Sequence, residues 1–170
     1  KDHTISRKVS VGRRRKTEVP YYIDLIGATC DSNHALYYAN LLSSYWHTEL
    51  NNRSKIPHYE FDFVVTPKDG SPILGYEFSK LINKPFVLHE SNKRFSGFEE
   101  DMRSFFDCES VPKKGSTALI VDDSTTGGTM ICKVIDDLRK YGYNIYTVLV
   151  VFEPQPKDAR SRLKEKQVDL

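Results

Sequence analysis

A chain of 170 residues fits one domain of ordinary size and is long enough to bury a real core. With 39% hydrophobic and 28% charged residues it is globular in composition, and a net charge of +2 is too small to point to nucleic acid. No apolar run reaches the about 18 residues that a membrane-crossing helix needs. Cys30, Cys108 and Cys132 are odd in number, far apart and without a Cys-x-x-Cys pair. They suggest neither a disulfide framework nor a zinc site, and a reducing, cytoplasmic compartment follows.

Arg7, Lys8, Arg13, Arg14, Arg15 and Lys16 concentrate basic charge near the start. A solvated arm is the plainer interpretation, and a phosphate-facing role for one or two of them is the sharper one. Residues 35–50 carry Leu36, Ala39, Leu42, Tyr45 and Trp46 at helical spacing, and the polar run 51–54 ends this first helix. Residues 61–65 predict a strand stopped by Thr66 and Pro67. The loop Lys68, Asp69, Gly70, Ser71 then leads to Pro72 at a helix start. Leu74, Phe78, Leu81 and Ile82 give that second helix its buried face before Asn83, Lys84 and Pro85 break it. Residues 86–89 make a short strand. Residues 90–114 are charged and irregular, with a short helix expected at 99–106, and such a long connection suits a lid. A final strand is expected at 145–152. The chain opens on Lys1 rather than Met, and Val168, Asp169 and Leu170 look like the opening of another strand, so residues are expected beyond both ends.

The most informative stretch is 118–129. Its apolar residues Ala118, Leu119, Ile120 and Val121 are too few for a helix and predict a buried parallel strand. Asp122 and Asp123 follow at the carboxyl end of that strand, where open α/β sheets place their ligands. Ser124, Thr125, Thr126, Gly127, Gly128 and Thr129 then mix hydroxyls with two glycines, so backbone N–H groups and side-chain donors can turn toward one anion. Ile131, Val134, Ile135 and Leu138 continue at helical spacing, with Arg139, Lys140 and Gly142 as stop signals. The loop therefore caps a helix N-terminus, whose partial positive charge favours a phosphate dianion. Plain turn chemistry is the competing interpretation. No Lys follows the glycines, which rules out a Walker phosphate loop, and Gly127 and Gly128 lack the spacing of a dinucleotide fingerprint. Strands alternating with helices predict one α/β domain, an open parallel sheet with right-handed crossovers.

In these residues the chain resembles the type I phosphoribosyltransferases, whose acidic pair and Gly/Thr segment bind 5-phosphoribosyl 1-diphosphate (PRPP). Val11, Gly12 and Arg13, with residues 20–25, resemble the opening of the orotate branch; residues 66–74 resemble its diphosphate loop, and 89–98 fall where it has a mobile basic loop. The resemblance implies the type I fold, with 1–34 as a small N-terminal hood and 35–170 as the core. It implies that Asp122 and Asp123 hold the ribose hydroxyls and touch Mg²⁺ only indirectly, through PRPP. Ser124 to Thr129 would enclose the 5-phosphate, while Lys68, Asp69, Gly70 and Ser71 meet the diphosphate and its Mg²⁺. Lys93 and Arg94 would stabilise the leaving diphosphate. The implied activity is phosphoribosyl transfer to a nucleobase, orotate-like or other, in a cytoplasmic homodimer of pyrimidine nucleotide biosynthesis. The alternative is a non-catalytic or weakly catalytic PRPP- or nucleotide-binding module in a larger assembly.

Two positions depart from the orotate pattern. Leu88 and His89 stand where that branch carries an Arg-Lys pair, and Glu153 stands where it has the arginine that holds the orotate carboxylate. A buried, unpaired Glu153 would repel an anionic base. His89 is expected to be a packed or solvent-facing histidine rather than a diphosphate contact or general acid. Tyr21, Tyr22, Tyr37 and Tyr38 are expected to pack or to line a dimer contact, and Trp46 to be a core or interface residue.

Overall fold

The computed structural model describes residues 4–5, 9–11, 17–19, 22–52, 60–90, 105–154 and 158–170. The basic residues Arg7, Lys8 and Arg13 to Lys16 lie outside them, as do Tyr21, Lys93 and Arg94. Within the first 34 residues, β1 (Thr4–Ile5) pairs antiparallel with β4 (Tyr22–Ile23), and β2 (Val9–Val11) pairs antiparallel with β3 (Thr17–Val19). The short helix α1 (Leu25–Thr29) follows; its N-cap Asp24 accepts a hydrogen bond from the Gly27 N–H at 2.8 Å. Asp31 does the same for α2 (Ser32–Asn52), accepting from the N–H groups of Asn33 and His34.

The buried face of α2 is rotated from the expected one. Ala35, Ala39, Leu42 and Trp46 are buried, whereas Leu36 and Tyr45 are 42% and 54% exposed. Two alanines on one face let the helix backbone lie close to its neighbours, and larger residues beside them are left outside.

The main sheet runs β7-β6-β5-β8-β9. Its strands are β5 (Phe63–Pro67), β6 (Phe86–His89), β7 (Phe106–Asp107), β8 (Thr117–Ser124) and β9 (Asn144–Phe152). The four from β6 to β9 across the sheet are parallel, with Val65 opposite Val87 on one side and Ile120 on the other; β7 joins the β6 edge antiparallel. The expected parallel sheet is thus extended by one antiparallel edge. The expected helix at 99–106 ends in that edge strand: Phe106 pairs with His89 and buries its ring against His89 and Tyr141, while 99–104 lie outside the described residues. An open ladder of β6 and an apolar pocket beneath it outweigh local helix propensity at that residue.

Both faces of the sheet are covered, which is why its central strands are apolar without alternation. On one face Phe63, Val65 and Ile120 pack with Ile131, Val134, Ile135 and Leu138 of α4 (Thr129–Lys140) and Leu163 of α5 (Ala159–Glu165). On the other, Val64, Leu119, Val121 and Leu149 pack with Leu74 and Phe78 of α3 (Pro72–Leu81) and with Ala39, Leu42 and Trp46. Leu81, expected on the buried face of α3, is exposed, and Gly75 and Ser79 take its place. Each large apolar side chain so buried contributes about 1.5–3 kcal/mol. Gly142, at φ 84°, ends α4 as expected. Asp169 forms an isolated parallel bridge with Thr147. No described helix is long and apolar enough to cross a membrane.

Candidate active site

Neighbouring parallel strands bring two strand-to-helix loops to the same sheet edge. The first, Lys68 to Ser71, leaves β5; the second, Thr125 to Gly128, leaves β8. Asp122 and Asp123, each only 5% exposed, lie at the end of β8 between them. Asp122 Oδ1 accepts from the Ser71 N–H at 3.2 Å and from the Asp123 N–H at 3.0 Å. The first loop therefore rests directly on the carboxylate. That approach depends on Gly70, because a Cβ there would collide with the Asp122 carboxyl.

Burial above all, then the Asp123 charge beside it, push Asp122 well above the usual carboxylate range. Burial raises Asp123 too, against hydrogen bonds from Asp122 and from Ser124 that favour its charge. Two carboxyls so placed favour a single negative charge between them. Ser71 Oγ, at the N-cap of α3, is buried without a hydrogen-bond partner. It stands beside Asp122 as an unused donor on the floor of the site.

The second loop is pinned at one end by the Thr125 N–H, which donates to the Phe152 carbonyl of β9 at 3.2 Å. Gly127 has open space where a side chain would be, and Gly128 turns the chain at φ 67° into α4. As the N-cap of α4, Gly128 supplies no side-chain acceptor to the first-turn N–H groups, which remain available to an anion. Thr126 and Thr129 are exposed.

Lys68 and Asp69 are exposed as well. The Lys68 ammonium pairs with Glu90 at 3.0 Å, and the Lys68 backbone N–H donates to the His89 carbonyl. The His89 side chain turns the other way, under α4: Nε2 lies 2.7 Å from Asp137 Oδ2, which Lys133 also meets at 2.8 Å. It is fully buried, edge-on to Phe106, as a packed histidine. Glu153 differs from the expectation of an unpaired carboxylate. Its Oε2 accepts from Arg160 Nε at 2.6 Å, and the same guanidinium donates to the Leu170 carbonyl, so the place is close to neutral.

The sequence missed one cation at the site. Arg162 of α5 reaches back to the second loop, where Nη1 lies 2.9 Å from the Gly127 carbonyl and 3.1 Å from Thr129 Oγ1. Its only sequence signal is a basic residue beside the buried Leu163 of a short helix.

The phosphoribosyl transferase domain pattern matches residues 49–169. The chain belongs to the phosphoribosyl transferase family. Its fold is the type I phosphoribosyltransferase fold, similar to solved structures at low sequence identity. Leishmania donovani UMP synthase is 19% identical with a TM-score of 0.72, over 98% of this chain and 32% of that one. The chain thus spans about a third of that relative's length. An orotate phosphoribosyltransferase from Aeropyrum pernix is 23% identical with a TM-score of 0.69, over 92% of this chain and 80% of that one. An adenine phosphoribosyltransferase from Thermoanaerobacter pseudethanolicus is 18% identical with a TM-score of 0.67, over 94% and 89%. Among curated proteins none matches in sequence.

Proposed function

We propose that this family member transfers the 5-phosphoribosyl group of PRPP to a nucleobase with release of diphosphate. The observation that carries the proposal is the junction of Gly70 and Ser71 with Asp122, which sets two anion-suited loops about one carboxylate pair. Their spacing on adjacent strands suits a ligand phosphorylated at both ends. In this reading Ser124, Thr125, Thr126, Gly127, Gly128 and Thr129 hold the 5-phosphate, and Lys68, Asp69, Gly70 and Ser71 the diphosphate. Asp122 and Asp123 accept hydrogen bonds from the ribose hydroxyls, which fixes the anomeric carbon for attack. Lys93 and Arg94 neutralise the charge of the departing diphosphate.

Among the described residues no cluster of three or more His, Cys, Asp or Glu side chains makes a metal site of its own. Mg²⁺ needs few protein ligands when phosphates bring the rest; the Ser71 hydroxyl and the Asp69 carboxylate are the hard oxygens that suit it, while Asp122 and Asp123 meet it only through PRPP. Bound through PRPP, the ion supplies charge neutralisation to the leaving group.

For the acceptor, the near-neutral Glu153 and Arg160 pair at the end of β9 supports an uncharged base over an anionic one such as orotate. Arg160 is already engaged by Glu153 and the Leu170 carbonyl. Residues 1–34 are proposed as a hood, tied down by the buried Leu25 and Ala28 of α1, over a core of 35–170. A cytoplasmic homodimer completes the proposal.

The test is a panel of purine and pyrimidine bases offered with PRPP and Mg²⁺. Diphosphate release with one base, abolished in Asp123→Asn, is the expected result. Tight PRPP binding by calorimetry with no turnover on any base would instead assign a regulatory or effector module of a larger assembly. Failure to bind PRPP would overturn both.

A further inference from the structure

We propose that Arg162 is a positioning residue that engages two acceptor oxygens of the 124–129 loop and so presents the loop's donors to a phosphate. The inference rests on the proposed assignment of that loop to a phosphate. Two of its oxygens are ill suited to such a ligand. The Gly127 carbonyl and the lone pairs of the Thr129 hydroxyl are partial negative charges at the mouth of the loop, where phosphate oxygens would meet them. One nitrogen of Arg162 engages both, Nη1 lying 2.9 Å from Gly127 O and 3.1 Å from Thr129 Oγ1. That nitrogen carries two N–H groups and no lone pair to accept with, so each bond takes one hydrogen.

The consequence for Thr129 is directional. A hydroxyl has one hydrogen and two acceptor lone pairs. With a guanidinium N–H on its acceptor side, the hydroxyl is left to donate its own hydrogen, and the phosphate oxygens are the acceptors in front of it. The Gly127 carbonyl, drawn toward Arg162, is at the same time kept from facing them. Arginine remains charged throughout the working pH range, so this arrangement does not depend on pH. Its full positive charge also adds to that of the α4 N-terminus.

The guanidinium stands on a fixed base. Ala159 and Leu163 anchor α5 in the core, fully buried, and the Ala159 Cα lies 3.4 Å from the point a Cβ on Gly128 would occupy. Arg162 therefore projects from a helix packed against the loop it controls.

Calorimetric binding of ribose 5-phosphate to the full chain reads this directly. Arg162→Gln is expected to weaken binding by about ten- to a hundredfold, the range that hydrogen bonds to charged groups typically contribute. Arg162→Lys, which keeps a charged donor, should recover part of that loss. Thr129→Val should weaken binding and Thr129→Ser should not, because the hydroxyl alone matters. The double variant Arg162→Gln, Thr129→Val should lose less than the product of the two single effects, because the two side chains share one hydrogen bond. The partial rescue by Arg162→Lys, in affinity with the melting temperature unchanged, is what a merely structural role for Arg162 does not produce. Should Arg162→Gln not fold, the Lys, Ser and Val variants carry the same comparison. Unchanged affinity in the arginine variants, or strictly independent effects at the two positions, would overturn the inference while leaving the phosphate loop in place. A wild-type chain that binds neither ribose 5-phosphate nor PRPP would overturn the loop's assignment itself, and the role of Arg162 with it.

Discussion

Asp122 is held above its ordinary carboxylate range by burial and by the Asp123 charge. A carboxyl whose pKa is higher in the folded state than in the unfolded one favours folding at low pH, and that advantage is lost as pH rises through the folded value. Asp122→Asn keeps the Oδ1 acceptor for the Ser71 and Asp123 N–H groups and removes the charge. The melting temperature of the variant should therefore rise above that of the wild type as pH increases from about 4 to neutrality, while PRPP affinity falls. A variant that melts lower than the wild type at neutral pH would contradict this. Asp137 gives the opposite sign. Burial alone would raise its carboxyl, but hydrogen bonds from His89 and Lys133 outweigh burial and lower it. Its contribution is present at neutral pH and lost in acid, so Asp137→Asn should destabilise at neutral pH by a margin that closes as pH falls through the carboxylate range, read by denaturant titration. Asp122 and the loop after it were legible because the strand end, the carboxyl pair and the Gly/Thr loop follow one another in the chain. Arg162 was not, because its partner Gly127 lies 35 residues away and only tertiary packing brings them together. Glu153 misled for the same reason. Its charge is visible in the sequence, but the pairing with Arg160 depends on how α5 folds back.

At the level of elements, the position of α3 depends on Gly75. A Cβ there would collide with Thr66 Oγ1 of β5 and stand 3.1 Å from the Phe86 ring of β6. Gly75→Ala must lift the helix from the sheet, at about 1–3 kcal/mol in urea unfolding, as overpacked cores typically lose. Since α3 begins at Pro72, next to Ser71, the same variant should also weaken PRPP binding. Thr66→Ala removes the obstructing hydroxyl, which has no hydrogen-bond partner, and in the Gly75→Ala background it should restore part of the stability. No restoration would mean that the helix is positioned by something other than this approach. Elements with strong periodicity were legible. Residues 131–138 gave the core face of α4, and 86–89 gave β6. β7 and α5 were not, since a two-residue strand and a seven-residue helix carry too little pattern, and both exist only because the sheet edge and the α4 surface are there to receive them. The error over α2 has a similar cause. Leu36 and Tyr45 are apolar and correctly spaced, yet the small Ala35 and Ala39 decide which side can approach α3.

The outward face of α2 bears on the whole molecule. Tyr37, Leu41 and Tyr45, four residues apart on one stripe, are 64%, 48% and 54% exposed. A second copy of the chain covering this stripe would bury it by two-fold pairing, in which the same residues meet from both sides. Leu41→Glu with Tyr45→Glu should then give a monomer by sedimentation, with the sheet intact by circular dichroism. The proposed homodimer has a functional consequence if Lys93 and Arg94 act on the partner's site rather than their own. A protomer lacking both cations but keeping Asp123 and a protomer carrying Asp123→Asn but keeping both cations are each expected to be inactive as homodimers. Unfolded together and refolded, half of the dimers would be mixed. Each mixed dimer would hold one complete site, made from the Asp123 of one chain and the cations of the other, so about a quarter of the wild-type activity should return. If the cations serve their own chain, mixing places both defects in separate sites and no activity returns. The same experiment with the Leu41 and Tyr45 substitutions added should recover nothing, which ties the sharing of sites to this face of α2.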